Sequence, residues 1–413
     1  MDKVARLASE STDLVSFWRT STEVVSPVLP HWWAPCFFTL DPASTLVTSH
    51  FHEGLDEFPA DALVAEYYGN DVHQIVDVVR SERGISTLHE VTGGDPSVSP
   101  RWHFNLTMGG DQELIARLRT PEGETWGAVS FYREPGAPMF DETDKVFVER
   151  LTPYLARGAR TALLFGEAID PESPDAPGLL MLNEAFKVQS ATAEAARWLK
   201  ELPDGDSARG RLPAAVLAVA GAALEGRPGA ASSAFARVLS RTGTWMLLHG
   251  ALLEGGDGRR AAVIIEPAHP ARIYPLLMSA YQLTERERDV TSQILRGSST
   301  TQIATELHIS PHTVQQHLKS VFDKTGVRSR RDLVGKIFFH HYEPRFRDNE
   351  HRVLRDQPIR GGPAWEFGAP GRNVAASNLR MPPPCEDAAL LRRLHLTGGH
   401  AWLGPTLGAS GAC

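Results

Sequence analysis

At 413 residues, 42% hydrophobic and 22% charged, the chain has room for several domains of about 150 residues each and lacks the bias of a collagen, a coiled coil or a wholly disordered protein. Its formal charge of −8 is unevenly spread: residues 281–345 carry 10 basic and 7 acidic side chains, residues 1–280 carry 24 and 37, so an acidic body precedes a mildly basic segment. Cys36, Cys385 and Cys413 lie far apart without a CxxC pair, which argues against a disulfide framework or a cysteine zinc site, and the absence of a signal-peptide core or bilayer-length apolar run gives cytoplasm as the expected location.

In chain order, 36–40 and 46–51 read as strands around an Asp41-Pro42 turn, and apolar periodicity predicts helices over 60–68 and 72–80. Strand-like runs at 114–120 and 125–133, joined by Pro121-Glu122-Gly123-Glu124, predict a β-hairpin. Asp141, followed by Asp144, is a fitting N-cap for a long helix reaching Leu163 and Leu164. Pro171, Pro174 and Pro177 then mark a polar linker over 169–178. Beyond it, a strand at 179–182, helices at 192–199 and 213–224, and strands at 235–240, 245–253 and 261–266 predict an antiparallel sheet with helices on one face. A second boundary falls near Glu266-Pro267, and 273–281 reads as a short connecting helix. Residues 346–413 show no sustained period and hold nine Gly and seven Pro, so a largely disordered tail is expected there.

The basic segment carries the clearest chemistry. Thr284 and Glu287 have capping-box spacing, Gly297 is a natural stop, and Ser298-Ser299-Thr300-Thr301 offers caps for a short second helix over 302–307. Ser310 followed by Pro311 then starts a third helix, which Gly326 ends. On it Val314, Leu318, Val321 and Phe322 form one apolar face, while His312, Gln315, Gln316 and Lys319 point elsewhere. A polar helix held by a short helix and a tight turn is the arrangement of a helix-turn-helix entering the major groove. Glutamine pairs bidentately with adenine, and lysine reaches guanine acceptors or phosphate. Arg328, Arg330 and Arg331 open a fourth helix placed for phosphate contact.

Taken together, Leu283-Thr284, Arg286-Glu287, Gly297, Ile303-Ala304, Leu307, Ile309-Ser310, Thr313-Val314, His317-Leu318, Lys324, Gly326-Val327 and Ser329-Arg330 resemble the LuxR-type helix-turn-helix of bacterial transcription regulators. The resemblance implies an all-α four-helix domain over 275–345 whose third helix reads DNA; Gln315, Gln316 and Lys319 are the expected base contacts, Arg328 and Arg330 phosphate contacts, and Thr313 and His317 phosphate contacts or packing residues. It also implies dimerisation through Leu333, Val334 and Ile337 on the fourth helix. One departure is Gln315, where the family commonly has lysine after Thr-Val. Upstream, 1–168 looks like a GAF domain and 179–270 like a PAS domain, giving a multidomain α+β chain with two sensory or dimerising modules before its reader. The implied partners are promoter DNA, a second copy of the chain, a small-molecule effector and RNA polymerase.

Other constellations are incomplete. His50 and His52 share a strand face but lack third and fourth metal ligands, and Cys36 with nearby His31 has neither an orienting acid nor an oxyanion loop. Trp32, Trp33, Phe37, Phe38, Tyr67, Tyr68, Trp102 and Trp126 are candidates for lining a ligand cavity as well as ordinary core. His340-His341, at the end of the fourth helix, suit solubility or carbonyl capping better than metal. No metal, cofactor or catalytic site is therefore expected. The competing readings of the upstream regions are a ligand-free interaction platform and, ranked below it, an enzyme coupled to the reader.

Overall fold

The computed structural model describes residues 1–9, 13–53, 66, 71–164, 177–205, 211–226, 234–255, 258–268 and 270–341. Of the helix expected over 60–68 only Glu66 is described, in helical conformation, and the linker up to residue 176 and the tail lie outside the described residues.

Helices α1 (Asp2–Leu7) and α2 (Leu14–Val25) precede strands β1 (Cys36–Leu40) and β2 (Val47–Phe51). Helix α3 (Ile75–Arg80), β3 (Ile85–Thr87), α4 (Leu88–Val91) and α5 (Pro100–Thr107) lead into the β4 (Gln112–Arg119) and β5 (Thr125–Arg133) hairpin and the long α6 (Glu142–Leu163). Asp141 and Asp144 cap α6 reciprocally, so its start is fixed by local chemistry. The five strands form an antiparallel sheet in the order β2-β1-β5-β4-β3. Strand alternation divides the side chains between its faces. Phe37, Leu114, Val129 and Phe131 pack with Phe17 and Trp18 of α2 and Leu151 and Leu155 of α6, while Cys36, Phe38, Ile115 and Tyr132 meet Ile75, Val78 and Val79 of α3.

The second sheet comprises β6 (Gly178–Asn183) and β7 (Val188–Ala191), then, after helices α7 (Ala193–Glu201) and α8 (Ala214–Glu225), β8 (Ala234–Leu239), β9 (Trp245–Gly255) and β10 (Gly258–Pro267). Its order is β7-β6-β10-β9-β8, again antiparallel throughout. Counted from each sheet's own first strand the two orders are the same, so two similar modules follow one another. They share a core: α8 buries Val216, Val219, Ala220 and Leu224 in a cluster that continues from Leu248 and Val263 of the second sheet to Phe38 and Val47 of the first. A helix apolar on every side is one enclosed on every side.

A charged contact crosses the same seam. Asp41, its side chain fully buried, accepts from Arg237 Nε at 2.7 Å and Nη2 at 2.6 Å, and from the Arg237 backbone N–H at 2.9 Å. Nearby, Asp204 accepts the backbone N–H groups of His50 at 2.7 Å and Ala214 at 3.1 Å, and burial pushes its carboxyl up to about 6 against those bonds.

Helix α9 (Pro270–Ala280) leads into four helices: α10 (Glu285–Leu295), α11 (Thr300–Glu306), α12 (Pro311–Thr325) and α13 (Arg330–His341). Their core, with Val290, Ile303, Val314, Leu318, Val321 and Leu333, runs on through Leu276, Leu277 and Tyr281 to Trp126 on β5 and Trp245 on β9. Among the described residues no helix is long and apolar enough to cross a membrane.

Candidate nucleic-acid interface

The geometry of α12 follows from how its neighbours begin and end. Thr284 and Glu287 exchange both capping-box bonds at the start of α10, and Ser299 and Gln302 do the same at α11. Between α11 and α12 the backbone turns through His308 at φ 53°, a left-handed conformation in which histidine is enriched. Ser310 then accepts the Thr313 backbone N–H at 3.0 Å, Pro311 occupies the first turn, and Gly326 ends the helix at φ 68°.

Two ties fix the rotation of α12. Its apolar side buries Val314, Leu318 and Val321. The Glu287 carboxylate accepts from Ser320 Oγ and Lys324 Nζ, each at 2.6 Å, and Lys324 also donates to the Gln282 carbonyl at 2.9 Å. Burial raises the Glu287 pKa, but these donors and the Thr284 N–H outweigh it and hold the group below the usual range.

Against this frame, Gln315, Gln316 and Lys319 are exposed on the side of α12 opposite its buried stripe, with Thr313 and His317 half-buried along its margins. Gln316 Nε2 lies 3.3 Å from His312 Nε2 one turn earlier, and Gln315 Nε2 donates to Thr300 Oγ1 at 3.3 Å. Thr313 Oγ1 is 2.8 Å from Ser310 Oγ. Arg328 is exposed, whereas Arg330 reaches back to α11, donating to the Ser298 carbonyl at 3.2 Å and to Thr300 Oγ1 at 2.7 Å. Sequence reasoning missed Thr300: it was visible as a cap candidate, but its hub position depends on α13 folding back over α11.

The expected dimer face lies mostly inward in the single chain. Leu333 and Ile337 are 0% and 1% exposed in the domain's own core, and only Val334, at 36%, faces outward. Leu333 and Ile337, one turn apart, face the interior of the same domain.

The upstream candidates are placed elsewhere. Cys36 is buried in β1, and burial, helped by the Glu113 charge, pushes its thiol up to about 12, far from a thiolate at neutral pH. His31 is directed to the Leu29 carbonyl at 2.7 Å and Ser26 Oγ at 3.2 Å. The His50 ring stacks on Phe38 at 4.4 Å and lies 4.9 Å from His52, burial lowers both imidazoles, and among the described residues no group of three metal-ligating side chains is found. Trp32 is half exposed, Trp33 tilts against Tyr132, Phe37 stacks on Trp18, and Trp102 donates to Asp111 at 3.0 Å. Tyr67 and Tyr68 lie outside the described residues, as do the side chains of His340 and His341.

Two further features were not foreseen. Buried Arg101 pairs with Glu113 at 2.6 Å and with Glu66, while Glu113 also accepts from Tyr132 at 2.8 Å and lies 3.2 Å from His73 Nδ1. At the β4–β5 turn, Glu124 accepts from Ser279 of α9 and from the Trp126 indole at 3.3 Å, and lies 3.6 Å from Arg288 of α10. The β4–β5 turn thus reaches α9 and α10 through this carboxylate, beside the packing of Trp126.

Residues 281–336 match the family model described as bacterial regulatory proteins, luxR family. The chain is 40% identical over 55 residues to the spore germination protein GerE of Bacillus subtilis, an overlap of 13% of this chain and 74% of that protein. It is 41% identical over 56 residues to the monoamine regulon transcriptional regulator of Klebsiella aerogenes, covering 14% of this chain and only 25% of that relative's length. Among solved structures, Escherichia coli SdiA aligns over 82% of this chain and 95% of its own, at 11% identity and a TM-score of 0.28, a likeness too slight to assign the upstream fold.

Proposed function

Because this chain belongs to the luxR family of bacterial regulatory proteins, we propose that it is a sequence-specific DNA-binding transcription regulator whose upstream modules bias its reader. The observation that carries this is α12 itself: capped, rotated by Glu287 and its apolar stripe, and presenting Gln315, Gln316 and Lys319 outward. In this reading those three side chains meet base edges in the major groove, and Thr313, His317, Arg328 and Arg330 meet phosphates. Arg330 keeps guanidinium donors beyond the two it gives to Ser298 and Thr300. The protein acts as a dimer on two half-sites, with Val334 as the position of the fourth helix open to a partner.

The proposed domains are a GAF-like module over 1–168 and a PAS-like module over 179–270, ahead of the reader at 275–345. Their common strand order and closing antiparallel hairpins support that division. A signal, whether a small molecule or a protein, acts by favouring one arrangement of these modules, and only a signal that binds the two arrangements unequally switches the protein. Glu124, Trp126 and Trp245 are the contacts through which such a change reaches α9 and α10.

The test is selection of DNA fragments by the purified full-length protein at fixed salt, beside a variant with Gln315, Gln316 and Lys319 all replaced by alanine. A shared pseudo-palindromic motif that the variant loses is the expected result. A full-length protein that enriches no motif overturns the proposal if residues 275–345 alone also enrich none.

A further inference from the structure

We infer that Thr300 is a positioning residue that couples a phosphate contact to base readout by fixing the orientation of the Gln315 amide, an inference that rests on the DNA-reading function proposed above. Thr300 opens α11, and its hydroxyl meets two donors from two other helices: Arg330 Nη2 of α13 at 2.7 Å and Gln315 Nε2 of α12 at 3.3 Å. A guanidinium only donates, so the hydroxyl oxygen has to accept from Arg330. A threonine hydroxyl has two lone pairs and one proton, so with Gln315 on the second lone pair only the proton is left to give.

With DNA bound, the acceptor for that remaining proton is a phosphate oxygen. Once that phosphate takes the proton, Thr300 has no donor for Gln315 Oε1, and the amide has to turn Nε2 toward it. The amide hydrogen trans to Oε1 serves Thr300. Oε1 and the other amide hydrogen then face outward together, as the acceptor and donor that adenine N6–H and N7 require. The backbone contact thereby selects which face of the glutamine the base meets. Removing the hydroxyl frees the amide to present either orientation, so Thr300 acts on sequence preference without touching a base.

The experiment uses the full-length protein and a randomised duplex library to obtain the preferred site. Binding is then measured to that duplex and to its single-base variants, for the wild type, Thr300→Val, Thr300→Ser, Gln315→Ala and the Thr300→Val/Gln315→Ala double variant. Thr300→Val leaves the Ser299 cap of α11 in place. It is expected to lower discrimination at one base position by about fivefold while leaving the salt slope unchanged, since the hydroxyl carries no charge, and Thr300→Ser retains wild-type discrimination. In the Gln315→Ala background Thr300→Val is expected to add no further loss of discrimination, which a merely structural residue would add in full. A Thr300→Val protein with wild-type base preference, or one whose loss persists undiminished without Gln315, overturns the inference and leaves the DNA-reading function standing. A wild type that selects no sequence overturns both.

Discussion

Helices α10, α11 and α12 each start on a threonine or serine whose hydroxyl accepts a backbone N–H three residues on, whereas α8 in the body follows Pro213, which supplies no cap, and has no polar face. The first three are specified within a few residues of sequence. Helix α8 is specified by two sheets closing on it from opposite sides, one of them through strands β1 and β2, which precede it by more than a hundred residues. The contrast separates two sources of order: side-chain chemistry that ends a helix wherever it stands, and burial that exists only after distant pieces have met.

The sharpest way to break the comparison is at the seam of the body. Asp41→Ala leaves the Arg237 guanidinium buried without its bidentate partner and is expected to cost about 3–5 kcal/mol, read by urea unfolding with the buried tryptophans as probe. A loss below about 1 kcal/mol would mean that the two modules do not depend on each other. Gly158→Ala probes burial within one module: a Cβ there would stand 1.9 Å from the Phe17 ring in a core where Phe17 is 1% exposed. Overpacking of this kind is expected to cost about 1–3 kcal/mol by the same measurement, and an unchanged midpoint would show that α2 moves away freely. The smallest effect belongs to the reader. Ser310→Ala removes one cap, worth about 1 kcal/mol, and should speed hydrogen exchange of the first α12 amides about fivefold while body amides keep their protection. Slower protection loss spread over the whole chain would erase the distinction.

The reader was almost wholly legible because its signals are local: Thr284 with Glu287, Ser310 with Pro311, and Gly326 each state a boundary in adjacent residues. In the body, the 125–133 strand and the Asp141 cap were equally plain, while β7 was hidden because all four of its residues are exposed and show no alternation. Helix α2 did carry a signal, in Asp13 as cap and in the Phe17, Ser21 and Val25 stripe with Trp18 beside it. Position 214–224 was recognisable as a helix, and its all-round apolarity was the clue that it serves two sheets rather than one. For the fourth helix, the sequence shows that Leu333 and Ile337 share a side, and only packing shows that this side meets the core of the same domain. The roles of Thr300 and Glu124 were illegible because the helices they tie together lie 15 to 164 residues away, joined only by the tertiary fold.

Helix α8 also imposes an order on synthesis. The residues it covers on the first sheet, Leu46 and Val47, leave the ribosome some 170 residues before it does, an interval of about 10–30 seconds at ordinary elongation rates. Through that interval the nascent first module carries the apolar residues that α8 later covers, a transient client surface for a chaperone. The same residues make the module a poor unit for gene shuffling, since it would arrive in a new chain without the helix that completes it.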